Sequence, residues 1–178
     1  MNIFLHICCA PCTIYPLRIL REKGFQVKGF FFNPNIHPYT EYLRRRETLS
    51  EFAGRVNLSV SFSPEYPIKE FLSGMIAAGE ERCRFCYRMR LRTAAVAARR
   101  EGFSKFTTTL LYSRYQKQDW IREEGVKAAG EEGVEFYYED FRPGWEEGVR
   151  NSKNMGLYRQ RYCGCILSEA ERFKAPGV

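Results

Sequence analysis

Seven cysteines fall in three short clusters: Cys8, Cys9 and Cys12; Cys83 and Cys86; Cys163 and Cys165. Cysteines that merely fill a core would be scattered singly, whereas thiols grouped this closely in a reducing compartment read as ligands or redox groups. In Cys83-Arg84-Phe85-Cys86 the C-x-x-C spacing brings two thiolates within reach of one centre. Zinc sites, iron–sulfur sites and redox dithiols all share that spacing. Cys8 and Cys9 are adjacent, and neighbouring side chains tend to point apart, so the pair fits awkwardly into one small tetrahedral zinc site. A four-iron cluster is wider and accepts adjacent thiolates on different irons. The two pairs together offer the four thiolates that a [4Fe–4S] cluster commonly takes, with a four-cysteine zinc site as the alternative.

Cys163-Gly164-Cys165 has a different character. A disulfide across one intervening residue closes a small, strained ring that is easily reduced, and Gly164 gives the backbone freedom to form it. That suits a dithiol that gives up two electrons and is reduced again; two further metal ligands is the other reading. Cys12 lies at the expected start of the helix after the first strand, where thiolates are stabilised. A second metal such as an additional iron, a spare redox thiol and simple packing all remain open for it. His6 reads as a core residue, and His37 as a loop residue nearer the chemistry. Asp140 suits metal binding, proton delivery or a surface ion pair, and Arg142 a phosphate contact or a solvated charge.

These residues need a scaffold that gathers them. Short β-rich runs near 2–7, 26–32, 57–62, 105–110 and 134–138 alternate with helical patterns near 13–23, 40–54, 68–78, 84–101, 117–131 and 144–155. Asp119 and Thr40 are candidate helix caps, and Gly24, Gly102 and Gly133 stand where helices should stop. Such alternation predicts an α/β fold: a parallel sheet flanked by helices, with its ligand site beyond the carboxyl ends of the strands. The suggestive residues follow those ends: Cys8-Cys9 after the first strand, Asn33 to Pro38 after the second, Thr107-Thr108-Thr109 and Ser113 at the fourth, and Asp140 after the fifth.

A chain of 178 residues suits one domain spanning 1–178, and 44% hydrophobic and 15% aromatic content excludes a disordered chain. No stretch approaches the roughly 20 apolar residues of a membrane span, and the N-terminus lacks the basic lead-in of a signal peptide. A cytoplasmic protein with no membrane partner is expected. The net charge is +7. Much of it is arginine interleaved with tyrosine, at Tyr42 to Arg46, Tyr112 to Lys117 and Tyr158 to Tyr162. Arginine pairs with phosphate and aromatic rings stack on unpaired bases, so the pattern points toward folded RNA.

Taken together, the motifs resemble the QueH-type epoxyqueuosine reductases. The resemblance rests on His6 to Cys12 (H-I-C-C-A-P-C), Asn33 to Pro38, Arg82 to Tyr87 (R-C-R-F-C-Y), Thr107 to Leu111 with Ser113, Asp140 to Arg142, and Leu157 to Cys165 (L-Y-R-Q-R-Y-C-G-C). It implies a fold akin to the nucleotide α-hydrolase (HUP) group. It also implies reduction of epoxyqueuosine to queuosine at the wobble position of tRNA, with an external electron donor and without cobalamin. On this resemblance Cys8, Cys9, Cys83 and Cys86 hold the cluster, Cys163 and Cys165 form a redox-active disulfide, and Asp140 or a thiol protonates the departing oxygen. Two alternatives stand beside it. An ATP-dependent iron–sulfur tRNA-thiolating enzyme would carry an S-G-G-x-D-S phosphate loop where this chain has Cys8 to Cys12. A non-catalytic, zinc-stabilised RNA-binding module would leave Cys163 and Cys165 without a role.

Overall fold

The protein is described by a computed structural model covering residues 1–174. Strand β1 (Asn2–His6) is the middle of a five-stranded, all-parallel sheet in the order β3-β2-β1-β4-β5. Ile3, Phe4, Leu5 and His6 are all fully buried. That is why β1 reads as a continuous apolar run: a parallel strand covered by helices on both faces has no solvent side to alternate with. The other strands are β2 (Gln26–Phe31), β3 (Val60–Phe62), β4 (Lys105–Thr108) and β5 (Glu135–Phe136).

The helices are α1 (Ala10–Glu22), α2 (Tyr39–Arg55), α3 (Ile68–Ala77), α4 (Arg82–Arg100), α5 (Gln118–Glu132), α6 (Trp145–Asn154) and α7 (Ile166–Phe173). Right-handed crossovers place α1 and α2 on one face of the sheet and α3, α4 and α5 on the other. Accordingly α1 packs against α2 and α6, while α4 packs along α5 and against α3. Helix α2 buries a periodic stripe of Tyr42, Arg45, Leu49, Phe52 and Ala53. An arginine in that stripe is unusual, and its role emerges at the site. Gly24, Gly102 and Gly133 follow α1, α4 and α5 with φ of +80°, +79° and +66°, the left-handed geometry that ends a helix.

The expected strands and helices are present, with differences that have local causes. Strand β4 stops at Thr108 because its own hydroxyl accepts from Leu110 N at 3.1 Å and turns the chain into a 3-10 turn over Thr109–Tyr112. Helix α4 begins two residues earlier than expected, so Cys83 and Cys86 lie in its first turns and not in a preceding turn. Helices α2 and α5 start after Pro38 and Lys117 with no side-chain cap. Asp119 sits inside the first turn of α5, where its charge complements the helix dipole. Helix α7 has no counterpart among the expected elements. Among the described residues no helix is long and apolar enough to cross a membrane.

Candidate functional site

In this strand order the chain turns away from β1 in one direction and β4 continues in the other, so the crevice between their carboxyl ends is the switch point where α/β sheets bind ligands. Cys8 enters that crevice directly. Its backbone N–H donates to Thr109 Oγ1 at 3.0 Å, and the same hydroxyl donates to Cys8 Sγ at 3.2 Å. The register explains the contact: His6 lies opposite Thr108 on β4, so the residues that follow meet across the crevice. His6 Nε2 bonds Phe32 O at 3.2 Å and Nδ1 bonds Thr108 Oγ1 at 2.8 Å. Burial lowers its pKa to about 3, so it is a neutral core residue that ties β1 to both neighbours.

Cys9 caps α1, its sulfur accepting from Cys12 N at 3.3 Å, with Pro11 in the first helical turn where a missing N–H costs nothing. This brings the sulfurs of Cys8, Cys9 and Cys12 within 4.8 Å of one another at the helix N-terminus. Hydrogen bonds from the Cys12 and Cys9 thiols hold Cys8 well below the usual thiol range, helped by the Arg90 charge. Burial raises Cys9, and hydrogen bonding to Cys8 raises Cys12. Three soft donors at this spacing can bind a metal.

Cys83 and Cys86 are one turn apart and face the same way from α4. Burial raises both, Cys86 to about 12. Neither belongs to the close triad; α4 carries them on the face of the sheet opposite α1. Cys12, whose role the sequence leaves open, is a full member of the triad.

The segment 157–165 lies across this site as an irregular strap. Gln160 Nε2 donates to Cys9 Sγ at 2.8 Å and approaches Cys12 Sγ at 3.6 Å. Buried Arg45 on α2 donates to Cys163 O at 3.0 Å and Tyr162 O at 3.2 Å while paired with Glu41 at 2.7 Å. Tyr158 OH donates to the other Glu41 oxygen at 2.7 Å, and Tyr162 OH to His37 O. His37 is a fastener, its N donating to Gly164 O at 2.8 Å and its Nδ1 accepting from Ile166 N at 3.2 Å. At Gly164 φ is +126°, and a Cβ there would press on Ile36, Asn35 and Arg45, so only glycine fits under the strap. Cys163 and Cys165 are both free thiols. Cys163 is exposed beside Ser168 Oγ at 2.9 Å; Cys165 is buried, 3.3 Å from Met75 Sδ in a small apolar cluster with Phe71.

The family model for epoxyqueuosine reductase QueH matches residues 3–171. The chain belongs to the QueH family. A Dehalococcoides mccartyi protein named epoxyqueuosine reductase QueH is 36% identical over 175 residues, covering 98% of this chain and 96% of that one. One of the same name from Thermotoga maritima is 37% identical over 181 residues, covering 96% and 92%. A crystal structure titled as a predicted subunit of tRNA methyltransferase, from Methanocaldococcus jannaschii, has a TM-score of 0.57 at 11% identity over 86% of this chain and 76% of that one. That likeness shows the fold alone.

Membership in a family of oxidoreductases draws attention to Asp140 and the arginines. Asp140 accepts from Arg142 Nε at 2.8 Å, Nη2 at 2.7 Å and N at 3.0 Å, and these bonds lower its pKa. Placed so, it is a carboxylate anion, an acceptor. The arginine–tyrosine pattern divides. Arg45 is buried under the strap, and Arg44 stacks on Tyr158 at 3.7 Å, so the first cluster serves the fold. Arg82 and Arg84 are paired with Glu171 and with Glu123 and Glu124. Arg159 and Arg161 are exposed, as is Tyr115 beside Arg114 and Trp145. Sequence reasoning places Thr109 at the rim but does not single out Gln160 or Arg45. Each sits inside a quoted motif or cluster, which is the available signal.

Proposed function

We propose that this chain reduces epoxyqueuosine to queuosine in tRNA, with Cys8, Cys9, Cys83 and Cys86 holding a [4Fe–4S] cluster and Cys163 with Cys165 as the redox pair. The observation that carries the reading is the thiol triad after β1, with Gln160 of the strap donating to Cys9 Sγ at 2.8 Å three residues before Cys163. The donor set fits an iron–sulfur group, since three thiols already cluster after β1 and Gln160 and Thr109 offer hydrogen bonds to their sulfurs. When bound, such a group supplies single electrons and Lewis acidity toward oxygen. Cys12 adds a further donor suited to an additional iron.

The protein's own residues account for the stoichiometry. Two thiols lose two electrons and two protons as the Cys163–Cys165 bond forms; both C–O bonds of the epoxide break, an alkene forms, and the oxygen leaves as water. An external donor then restores the dithiol. Cys165 must leave Met75 for the bond to close, so strap movement accompanies turnover. Asp140, held as an anion by Arg142, is suited to accept a proton or cation, leaving the thiols as the proton source. Arg159, Arg161 and the Arg114–Tyr115–Trp145 group supply phosphate contacts and stacking for an unpaired loop.

The thiolation alternative needs backbone donors for phosphate after β1. Here the N–H groups of Cys8 and Cys12 are already engaged by Thr109 and Cys9. The test is incubation of anaerobically reconstituted protein with tRNA carrying epoxyqueuosine and dithionite, without ATP or cobalamin, followed by nucleoside mass spectrometry. A mass decrease of one oxygen is expected. No change with an intact cluster, or ATP-dependent gain of sulfur, would overturn the reading.

A further inference from the structure

Helix α4 carries a row of arginines, and most are answered by acids. Arg84 and Arg88 share Glu124 at 2.8 and 2.9 Å, and Arg92 pairs with Glu131 at 3.4 Å. Arg90 is different. It is 3% exposed, and among the described residues it has no carboxylate partner. Its Nη2 donates to Asn33 Oδ1 at 2.6 Å, its Nη1 lies 3.8 Å from Cys86 Sγ, and its Nε, also buried, has no partner. Asn33 in turn donates to Ile7 O at 2.9 Å, the carbonyl next to Cys8. The guanidinium is therefore wedged between the α4 cysteines and the end of β1.

A guanidinium stays protonated in proteins, so burial cannot neutralise it. A buried cation with one neutral oxygen and one sulfur as partners needs a compensating anion. The groups that can supply one here are the cysteine sulfurs on either side.

We propose that Arg90 is the buried counter-charge of an anionic thiolate-ligated iron–sulfur centre, joining Cys86 on α4 to the Cys8 end of β1 through Asn33. This rests on the cluster assignment above and adds a positioning residue to it. Two consequences follow. A positive charge beside the centre favours the reduced, more negative state, so Arg90 raises the reduction potential. Loading the centre also relieves an uncompensated cation, so more of the loading stabilisation depends on Arg90 than packing alone would give.

The experiment uses full-length wild type, Arg90→Lys and Arg90→Gln, each measured apo and after anaerobic reconstitution. Iron and sulfide, the rise in melting temperature on loading, and the midpoint potential by dye-mediated titration are recorded. Arg90→Gln should make one-electron reduction at least tenfold less favourable, a shift of about 59 mV to lower potential. It should also show a smaller rise in melting temperature, with Arg90→Lys close to wild type in both. Absence of the cluster from Arg90→Gln with retention in Arg90→Lys also supports the counter-charge. An unchanged potential and an unchanged rise in Arg90→Gln would overturn it, as would absence of the cluster from both variants while both apo proteins melt like wild type. Failure of wild type to bind iron and sulfide would instead sink the cluster assignment on which the proposal stands.

Discussion

The strap can be loosened by one residue that touches neither cysteine sulfur. Arg45 is 2% exposed and donates to the carbonyls of Tyr162 and Cys163. Hydrogen bonds from a charged donor contribute about 1.5–3 kcal/mol each, so the two together hold the strap with about 3 kcal/mol at the low end. Arg45→Met keeps much of the volume and removes both donors, but it also strands Glu41, which retains only Tyr158. Leaving one member of a buried pair costs about 3–5 kcal/mol in its own right. The informative variant is therefore Glu41→Gln with Arg45→Met, which removes both charges. At 1.36 kcal/mol per factor of ten, 3 kcal/mol raises the open population of the strap about a hundredfold. Cys165, buried in the closed state, should then react with a maleimide about a hundredfold faster, provided labelling proceeds through local opening. Peptide-resolved mass spectrometry reads the rate at each cysteine, and amide hydrogen exchange of β1, at the centre of the sheet, is the internal control. Unchanged Cys165 labelling would show that Arg45 does not hold the strap; equal acceleration of exchange in β1 would mean that the whole domain had loosened.

Three further outcomes follow from the same geometry. Replacing Cys8, Cys9, Cys83 or Cys86 with Ala should sharply lower bound iron and sulfide, whereas Cys163→Ser should abolish turnover and keep both; elemental analysis beside activity separates the two classes. Charge reversal at Arg159 or Arg161, exposed and unpaired among the described residues, should weaken tRNA binding. It should also flatten the log–log salt dependence by roughly 0.7–0.9 for each phosphate no longer neutralised, read by filter binding across a salt series. Changes at Arg84, already paired with Glu123 and Glu124, should do less. Stability should fall with acid for a nameable reason. His6 has its folded pKa lowered to about 3 from 6.5, so between those values the unfolded chain binds a proton that the folded one does not. Stability from this group is complete above about pH 6.5 and declines below it, by up to about 1.4 kcal/mol per pH unit, and burial of His37 adds in the same direction. Urea titrations from pH 7 to 5 should show the decline, and His6→Asn should flatten it.

The strap also explains the division of the arginine–tyrosine clusters. Side chains suited to stack and pair on RNA are equally suited to stack and pair on one another. Composition cannot tell the two uses apart, because both draw on the same cation–π and hydrogen-bonding chemistry. Only burial separates Arg45, clamped under Tyr162, from Arg159 and Arg161 at the surface.

The sequence by itself determined the parallel α/β order, since strand and helix periods alternate and β1 is apolar throughout. It also placed Cys8 and Cys9, Asn33 to Pro38, Thr109 and Asp140 at the carboxyl rim, because each follows a strand end. The short helix α7 escaped it: eight residues with Ile166 and Leu167 left exposed carry too brief a pattern to distinguish from a tail. Helix α4 was legible only from Arg84 onward, as the C-x-x-C spacing suits a helical turn as well as a loop. What tertiary structure alone decided was membership of the sulfur site. Cys12 joins Cys8 and Cys9 because α1 begins at Cys9 and wraps its first turn back over the crevice. Thr109 and Gln160 reach the sulfurs from 101 and 151 residues away in the chain. Contacts at that separation depend on strand register and the path of the strap, which arise from packing the whole sheet, and no local pattern of residues encodes them.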